Sequence, residues 1–437
     1  MILDLDRCYD ALKARDARFD GRFFVAVRST NIYCRPVCPA RTPLKANVDF
    51  FRHAAAAERA GFRPCLRCRP ELAPGLAPMD APDRVAQLAA ARIEAGALDE
   101  GDAEALAATL NLSSRQLRRV VEASFGVTPV ELAQTRRLLL AKQLLTDTRL
   151  PMAVVAQASG FGSVRRFNHL FTSRYGMAPS RLRQRGGEEV SGETFTLRLA
   201  YRPPLAWAHL LRFLSGRGAV GVEAAEDNHY LRTAAIGAQQ GWLSVTPMQE
   251  VAALQVTLSA SLLPVLPQTL ARLRRTLDLD ANAPVIDAHL GADPRLAELV
   301  RITPGLRVPG SFDGFELALR AILGQQVTVK AATTLFGRFA RTFGVAITTP
   351  HAALTHLAPR ADVVAQASQQ QLIALGLTTR RAETVKRMAE AVASGVISLE
   401  PGPDPDAMMA AMQELPGIGP WTAHYIAMRA LRHPDAW

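Results

Sequence analysis

The sequence predicts a multidomain α+β protein. We expect a small cysteine-rich α/β domain, an all-α tandem of similar units, a mixed α/β domain and a second all-α domain, in that order. Three observations predict this architecture. The chain has 437 residues, which is too long for one hydrophobic core. Four of its five cysteines lie within residues 34–68. The hydrophobic period is helical after this cluster, then alternating, then helical again.

The charge of the chain limits the classes of partner that it is expected to bind. A formal net charge of +11 favours an anionic partner, and nucleic acid is the first candidate. An anionic membrane surface is the alternative, but the sequence has no uninterrupted apolar run of about twenty residues. The first residues, "MILDLDRCYD", show no signal-peptide pattern. We therefore expect a soluble, cytoplasmic monomer with no membrane partner.

The cysteines form two close pairs, Cys34 with Cys38 and Cys65 with Cys68. In a reducing compartment this spacing favours one tetrahedral Zn²⁺ bound by four thiolates over disulfide bonds. Basic residues that could hold a phosphate crowd both pairs, namely Arg35, Arg41, Lys45, Arg63, Arg67 and Arg69. From these residues two interpretations stay open, a purely structural zinc ribbon and a reactive zinc-bound thiolate. The remaining cysteine, Cys8, is expected to be a small buried apolar residue.

The stretch "FFVAVRSTNIYCRPVCPARTPLKANVDFF...AGFRPCLRCRPE" resembles the N-terminal domain of the Ada family of bacterial DNA-methylation sensors, over about residues 1–75. The resemblance implies that Cys34 irreversibly takes a methyl group from a DNA methylphosphotriester, without an organic cofactor. The other three cysteines complete the zinc site. Zinc with four thiolates carries two net negative charges, and methylation removes one, so the modified protein should bind DNA more tightly. The sequence lacks the family's second acceptor motif, Pro-Cys-His-Arg, so repair of O6-alkylguanine is not expected.

Residues 84–186 contain an internal repeat. They follow a predicted linker rich in Pro, Gly and Ala at 70–83 and lead into a polar, Gly-rich predicted linker at 185–194. "LSSRQLRRVVEASFGVTP" at 112–129 returns as "GSVRRFNHLFTSRYGMAP" at 162–179. Each copy ends in an aromatic residue, Gly and then Pro, which together form a helix stop signal. The spacing indicates two helix-turn-helix units, in which the second helix of each enters the major groove.

The second copy, within "RLPMAVVAQASGFGSVRRFNHLFTSRYGMAPSRLR", resembles the second motif of AraC-type DNA-binding domains. The resemblance implies two recognition helices whose DNA-contacting residues are Arg115, Arg118 and Arg119 on the first and Ser163, Arg165, Arg166 and His169 on the second. Phe161, Phe167 and Phe171 are expected to be core residues. A single arginine on a helix face is usually just solvated, but two similar copies make that interpretation weaker.

The C-terminal half changes period twice. "TFTLRLAY" and "LQVTL" alternate apolar and other residues, which predicts strands in a mixed α/β domain at 195–286. Residues 287–437 are rich in Ala and Leu with helical periodicity. They include "LPGIGPWTAHYIAMRA", in which a Gly-x-Gly turn precedes a helix. Such a turn lets backbone N–H groups approach a phosphate closely.

The C-terminal half resembles the all-α helix-hairpin-helix DNA glycosylases of the AlkA type, 3-methyladenine DNA glycosylase II. The resemblance is carried, in order and spacing, by "LALRAILGQQVTVKAA", "LIALGLTTRRAETVKRMAEAV" and this hairpin. With the preceding α/β domain, the match spans about residues 195–437. It implies that an alkylated purine is extruded and its N-glycosidic bond hydrolysed. The implied base pocket is Phe213, Trp421 and Tyr425, which would favour a cationic base. The implied backbone grip is Gly417, Ile418 and Gly419. Gln326 takes the wedge position, where the best-known member has leucine.

The family's catalytic aspartate is expected beyond Trp437, because Asp435 aligns with an earlier aspartate. The chain as given is therefore expected to lack glycosylase activity. Together the resemblances imply a DNA alkylation-damage response protein that binds methylated backbone, promoter sites and alkylated bases in double-stranded DNA. Contact with RNA polymerase and association with the nucleoid are expected. The alternative is a zinc-dependent transcriptional regulator whose C-terminal half binds DNA without cleaving a glycosidic bond.

Overall fold

The computed structural model describes residues 4–75, 77, 83–183 and 193–436. The chain forms two compact units. The first comprises Met1–Ala206, Pro247–Ala271 and Leu279–Leu306, and the second Trp207–Thr246, Arg272–Asp278 and Arg307–Trp437. Parts of both predicted linkers lie outside the described residues, namely residues 76 and 78–82 of the first and 185–192 of the second. The four predicted domain boundaries therefore stay predictions.

The first unit begins with a small α/β sheet. Its elements are α1 (Leu5–Ala14), β1 (Phe24–Val27), β2 (Ile32–Cys34), β3 (Val48–Phe51), α2 (Ala54–Arg59) and β4 (Arg63–Pro64). The strand order is β3-β1-β2-β4. β1 is antiparallel to both β2 and β3, whereas β2 and β4 are parallel, with Tyr33 opposite Pro64. Cys8 is buried between α1 and this sheet, as predicted.

In the part of the chain that the structure describes, seven helices follow this sheet before the next strand. They are α3 (Arg84–Glu94), α4 (Ala103–Ala108), α5 (Ser114–Phe125), α6 (Pro129–Asp147), α7 (Met152–Ala158), α8 (Val164–Tyr175) and α9 (Pro179–Leu182). The predicted repeat is confirmed, because α5 and α8 both end at a left-handed glycine, Gly126 with φ 72° and Gly176 with φ 67°. The predicted core residues Phe161, Phe167 and Phe171 are buried.

The mixed α/β region contributes elements to both units. In chain order they are β5 (Thr194–Ala200), α10 (Trp207–Gly216), β6 (Glu223–Glu226), β7 (His229–Ile236), β8 (Gln239–Pro247), β9 (Ala253–Ser259), α11 (Leu266–Thr276), α12 (Ala283–Leu290) and α13 (Pro294–Ile302). In the first unit β5 pairs antiparallel with β9, with Leu197 opposite Val256. In the second unit β6, β7 and β8 form an antiparallel meander. The predicted strands and their buried alternating face are confirmed.

The rest of the second unit is helical, as predicted. Its helices are α14 (Gly314–Leu323), α15 (Val329–Phe343), α16 (Ala361–Gln366), α17 (Gln369–Ala374), α18 (Thr379–Ala393), α19 (Pro405–Gln413) and α20 (Pro420–Arg429). α14 is almost wholly buried and contacts α15, α18 and α20. The predicted hairpin joins α19 to α20. Within the described ranges, no helix has the length and apolar character needed to cross a membrane.

Candidate zinc centre and nucleic-acid sites

The two cysteine pairs meet at one edge of the small sheet. The backbone N–H of Cys65 donates to the carbonyl oxygen of Tyr33 over 2.9 Å, which fixes the end of β4 beside the end of β2. A tight turn closed by the Cys38 N–H and the Arg35 carbonyl, 3.1 Å apart, brings Cys38 back toward Cys34. All four sulfurs are buried and lie within 4.8 Å of one another. The spacing in the sequence thus becomes one cluster because parallel strands end at a common edge.

The donor set and its dimensions fit zinc. Zinc–sulfur bonds of about 2.3 Å in a tetrahedron require sulfur–sulfur edges of about 3.8 Å, within the observed spread. The closeness of the sulfurs drives their pKa values apart, since the contact between Cys34 and Cys38 raises the pKa of Cys34 and lowers the pKa of Cys38 to about 7. A divalent cation would be held by four such sulfurs as thiolates.

Backbone N–H groups hydrogen-bond two of the four sulfurs. The N–H of Arg35 donates to Cys68 Sγ over 3.3 Å, and the N–H of Arg67 donates to Cys65 Sγ over 3.3 Å. Among the described residues no backbone N–H donates to the Sγ of Cys34 or of Cys38. The four sulfurs are therefore chemically unequal, because such hydrogen bonds withdraw electron density from a thiolate.

The structure separates the predicted basic residues into two groups. Arg35 is half-buried and its guanidinium binds Asp20, with Nε 2.9 Å from Oδ1. Arg69 is likewise engaged by Glu71 and Asp147, and Lys45 pairs with Asp6 at the surface. The other three, Arg41, Arg63 and Arg67, are exposed. Ion pairing therefore gives Arg35 and Arg69 structural roles that the sequence did not predict.

A cavity of about 240 Å³ lies beside the cluster. It is lined by Ile32, Arg63, Pro64, Cys65, Leu66, Arg67, Tyr175, Met177 and Leu182. Two exposed guanidiniums, those of Arg63 and Arg67, are thus placed around a mainly apolar depression next to a zinc ligand. This combination suits the phosphate and sugar of a nucleic-acid backbone.

The predicted recognition residues lie on exposed faces of α5 and α8. Arg115, Arg118 and Arg119 are exposed on α5, and Arg165, Arg166 and His169 are exposed on α8. Arg118 forms an ion pair with Glu122 one turn away, 3.0 Å between Nε and Oε1. Ser163 has a local role as well, because its hydroxyl accepts the backbone N–H of Arg166 over 3.2 Å and caps α8.

In the second unit, Arg429 brings together the predicted base-pocket residues. The rings of Trp421 and Tyr425 are stacked, with centroids 5.4 Å apart and planes 9° apart, and Trp421 is 69% exposed. The Arg429 guanidinium lies 5.4 Å from the Tyr425 ring and 5.2 Å from the Phe213 ring. A second guanidinium, that of Arg217, lies 4.2 Å from Phe213. The sequence analysis missed both arginines, although Arg429 follows Tyr425 by one helical turn.

Two contacts hold the predicted hairpin grip and the predicted wedge together. The side-chain amide of Gln325 donates to the carbonyl oxygen of Gly417 over 2.9 Å. The carbonyl oxygen of Gln325 accepts a hydrogen bond of 2.6 Å from Arg381 on α18. The next residue, Gln326, is exposed and has a left-handed φ of 55°. Gln325 therefore fixes the turn that presents Gln326, and the sequence analysis did not single it out.

The hairpin itself depends on its first glycine. Gly417 has φ 86°, and a Cβ added there would lie 2.3 Å from Thr384 Oγ1. Ile418 between the glycines is buried, so its contribution to the grip is its backbone. At Gly419 a Cβ would meet no atom within 4 Å, and α20 starts directly after it. The first N–H groups of α20 are therefore presented at an open surface.

Sequence profiles of known families match four parts of the chain. Residues 7–71 match the metal-binding domain of Ada and residues 106–185 a helix-turn-helix domain. Residues 196–313 match the AlkA N-terminal domain, and residues 319–432 the HhH-GPD superfamily of base excision DNA repair proteins. A probable bifunctional transcriptional activator/DNA repair enzyme AlkA of Mycobacterium tuberculosis is 38% identical over 439 residues, covering 99% of this chain and 88% of that protein. The chain belongs to this AlkA family.

Two further relatives divide the chain between them. The DNA-3-methyladenine glycosylase 2 of Escherichia coli is 35% identical over 239 residues, covering 55% of this chain and 82% of that enzyme. The bifunctional transcriptional activator/DNA repair enzyme Ada of Escherichia coli is 33% identical over 189 residues, covering 43% of this chain and 51% of that protein. This member of the AlkA family is a DNA-binding repair enzyme and transcriptional activator that joins an Ada-type domain with one zinc ion to an AlkA-type glycosylase.

Proposed function

We propose that Cys34 is the residue that accepts the methyl group, and that a DNA methylphosphotriester donates it. Cys34, Cys38, Cys65 and Cys68 would hold the zinc ion, which keeps their sulfurs deprotonated at neutral pH. A lone pair of Cys34 Sγ forms a bond to the methyl carbon as the bond between that carbon and the phosphate oxygen breaks. The electron pair stays on the oxygen, which leaves an ordinary phosphodiester anion. The product thioether is not regenerated, so each molecule reacts once.

The observation that carries this choice of cysteine is the pattern of N–H to sulfur hydrogen bonds. The sulfurs of Cys65 and Cys68 each accept a backbone N–H over 3.3 Å, and among the described residues no backbone N–H donates to the sulfur of Cys34 or of Cys38; of these two, the resemblance to the Ada family favours Cys34. A thiolate that accepts fewer hydrogen bonds keeps more electron density and attacks carbon faster. Exposed Arg63 and Arg67, which line the cavity next to Cys65, support the approach of a phosphate to the cluster.

The test is a mass measurement on the zinc-loaded full chain. After incubation with a duplex that carries one methylphosphotriester, a proteolytic digest should show one added methyl group on the peptide that contains Cys34. The Cys8→Ala variant is the matched control, because it removes a buried cysteine outside the cluster. A methyl group on Cys38, Cys65 or Cys68, or on none of the cysteines, would contradict the proposal and favour another acceptor or a purely structural zinc site.

The recognition helices would read the promoter once Cys34 is methylated. Exposed arginines on α5 and α8 support this role, and Arg165 and Arg166 are the pair that we expect to matter most. The protein would act as a monomer, contact RNA polymerase at the promoter and remain associated with the nucleoid. Analytical ultracentrifugation with and without a selected duplex would test the monomer, and pull-down of RNA polymerase by the methylated full chain would test the contact.

The stacked pair Trp421 and Tyr425 would form the pocket for an extruded alkylated purine such as 3-methyladenine. An electron-rich ring surface attracts a cationic base, and Trp421 is exposed enough to offer one. Trp421→Ala should weaken binding to a duplex with one 7-methylguanine by about tenfold relative to an unmodified duplex. Val396→Ala, another exposed apolar position in this unit, is the control. Equal binding of both duplexes by the unaltered chain would instead favour a C-terminal half that only binds DNA.

A further inference from the structure

We propose that α2, through the side chain of Glu58, is a positioning element that couples the methyl-accepting sheet to both recognition helices. This inference rests on the proposed role of Cys34. Under this proposal, the DNA-binding surface at the zinc cluster and the two recognition helices act as one rigid surface because α2 holds them together. Neither the family resemblance nor the sequence pattern assigns Glu58 a role.

The first observation is that α2 touches the C-terminal ends of α5 and α8. The His53 ring, which caps α2, packs edge-to-face on Phe125 with centroids 5.5 Å apart. At the other end of α2, Arg59 donates to the carbonyl oxygen of Gly126 over 2.8 Å. From α8, Arg174 donates to the carbonyl oxygen of Glu58 over 2.9 Å. One short helix therefore fixes the ends of two helices whose other ends carry the exposed arginines.

The second observation is the buried carboxylate of Glu58, of which only 1% is exposed. Tyr33, the residue before Cys34, donates its hydroxyl to Glu58 Oε1 over 2.9 Å. Thr135 on α6 donates its hydroxyl to the other oxygen, Oε2, over 2.9 Å. Glu58 thus links the strand that ends at Cys34 to the long helix that joins the two helix-turn-helix units. A buried carboxylate is costly unless it is hydrogen-bonded, so both partners must stay in place.

A second buried polar cluster holds α6 to the other cysteine pair. Lys142 on α6 forms an ion pair with Glu71, and both side chains are 1% exposed. The Lys142 ammonium also lies 3.5 Å from the carbonyl oxygen of Cys65. Arg69, next to Cys68, binds Asp147 at the end of α6 over 2.6 Å. α6 is therefore attached to the small sheet at two places, near Cys34 through Glu58 and at the second cysteine pair. Two attachment points prevent α6 from rotating relative to the sheet, as it could about a single contact.

The consequence is energetic. Methylation lowers the negative charge at the zinc cluster and strengthens its contact with DNA phosphates. If the two surfaces were joined by a flexible linker, only part of this gain would reach the promoter complex, because each surface would still lose its own freedom on binding. With a rigid junction the gain adds directly to the affinity of α5 and α8. Glu58 therefore determines how much of the methylation signal becomes promoter affinity.

The test compares affinity before and after complete methylation of Cys34, which is verified by mass. The probe is a duplex that the methylated protein selects from a random pool. Glu58→Ala should reduce the gain in affinity by ~2- to 30-fold, the range expected for a residue that couples two sites. Glu58→Gln should retain most of it, because the amide can accept from Tyr33 and donate to Thr135. Thr135→Val, which removes one hydroxyl without changing shape, should give an intermediate loss.

Glu104→Ala is the matched control, because it removes an exposed glutamate on α4. If Glu58→Ala and Thr135→Val both keep the full gain, the coupling role is wrong. If the Glu58→Ala variant loses its helical circular dichroism signal, the Thr135→Val variant replaces it in the test. The ratio of affinities after and before methylation is then compared between Thr135→Val and the unaltered chain. Absence of methyl on Cys34 in the unaltered chain would instead overturn the proposed acceptor, and with it the basis of this inference, so the two failures are distinguishable.

Discussion

The backbones of Tyr33 and Cys65 are hydrogen-bonded to each other where β2 and β4 end, although these two strands are far apart in the sequence. The Cys65 N–H and the Tyr33 carbonyl oxygen are 2.9 Å apart, and this bond sets the zinc ligands of both pairs at the same edge. Tyr33 also donates its hydroxyl to Glu58. Tyr33 thus contacts both the loop that carries the second cysteine pair and the buried glutamate on α2.

Removal of one zinc ligand should unfold the N-terminal domain. In Cys38→Ala we expect zinc content, measured by elemental analysis, to fall from one ion per chain to almost none. The small sheet should also lose its protection in hydrogen exchange, because a structural zinc site contributes its binding free energy to folding. Cys8→Ala should keep its zinc. Full zinc occupancy of Cys38→Ala would show that three ligands suffice and would contradict this prediction.

Glu58 should make the stability of the zinc-loaded chain depend on pH. Burial raises its pKa from 4.5 to about 7, and hydrogen bonds from Tyr33 and Thr135 and the charge of Arg174 only partly oppose the rise. Because the folded-state pKa is raised, the stabilising contribution is complete below pH 4.5 and is lost as pH rises through about 7.

The free energy of unfolding should change by up to about 3 kcal/mol from this group, because each pKa unit corresponds to about 1.36 kcal/mol. The thermal unfolding midpoint of the first unit should therefore fall more between pH 5 and pH 8 in the unaltered chain than in the Glu58→Gln variant. Other titrating groups act equally in both chains, so the difference between them isolates Glu58. An identical fall in both would mean that Glu58 stays ionised throughout.

Alanine at the two hairpin glycines should separate an effect on stability from an effect on DNA binding. Gly417→Ala places a Cβ 2.3 Å from Thr384 Oγ1 at φ 86°, and should destabilise the second unit by about 2 kcal/mol. Gly419→Ala meets no atom within 4 Å and should cost less than about 1 kcal/mol, yet it should weaken binding to undamaged duplex DNA because the methyl group stands at the phosphate surface. Urea unfolding and fluorescence anisotropy measure the two effects. Equal stability of both variants would exclude the close contact with Thr384.

Loss of the Gln325 amide should impair extrusion of a base more than binding of DNA. In Gln325→Ala the wedge turn loses its 2.9 Å bond to Gly417, so Gln326 is presented less firmly. We expect the fluorescence increase of 2-aminopurine placed beside a damaged base to fall by about fivefold, with duplex affinity changed by less than about twofold. Gln370→Ala, at an exposed position on α17, is the control. A parallel loss of affinity and fluorescence would show that Gln325 only supports the hairpin.

The zinc ligands and the repeat could be predicted because both depend on local spacing. Two cysteine pairs at short intervals leave few alternatives to a metal, and the aromatic residue, Gly and Pro that close α5 and α8 are local stop signals. The pairing of strands that brings Cys65 beside Cys34 involves residues far apart in sequence. It could be inferred only from the chemistry that zinc requires.

The roles of individual charged residues could not be predicted in the same way. Arg35 and Arg69 look like phosphate ligands in the sequence, but Asp20 and Asp147 bind them, and nothing local places those partners nearby. Glu58 is the penultimate residue of "AAAAER", a run that is typical of an exposed helix end. It is buried because α6 and α8 cover it, and a sequence pattern does not contain that tertiary contact.

β4 consists of only two residues, Arg63 and Pro64, and the proline has no N–H to donate to a neighbouring strand. A strand this short cannot choose its own alignment, because a slip of one residue would lose very few hydrogen bonds. Such a slip would, however, carry Cys65 away from Cys34 and leave the metal with an incomplete set of ligands. Zinc binding would therefore favour the one alignment of β4 with β2 in which Cys34, Cys65 and the hydrogen bond from Tyr33 to Glu58 are assembled together.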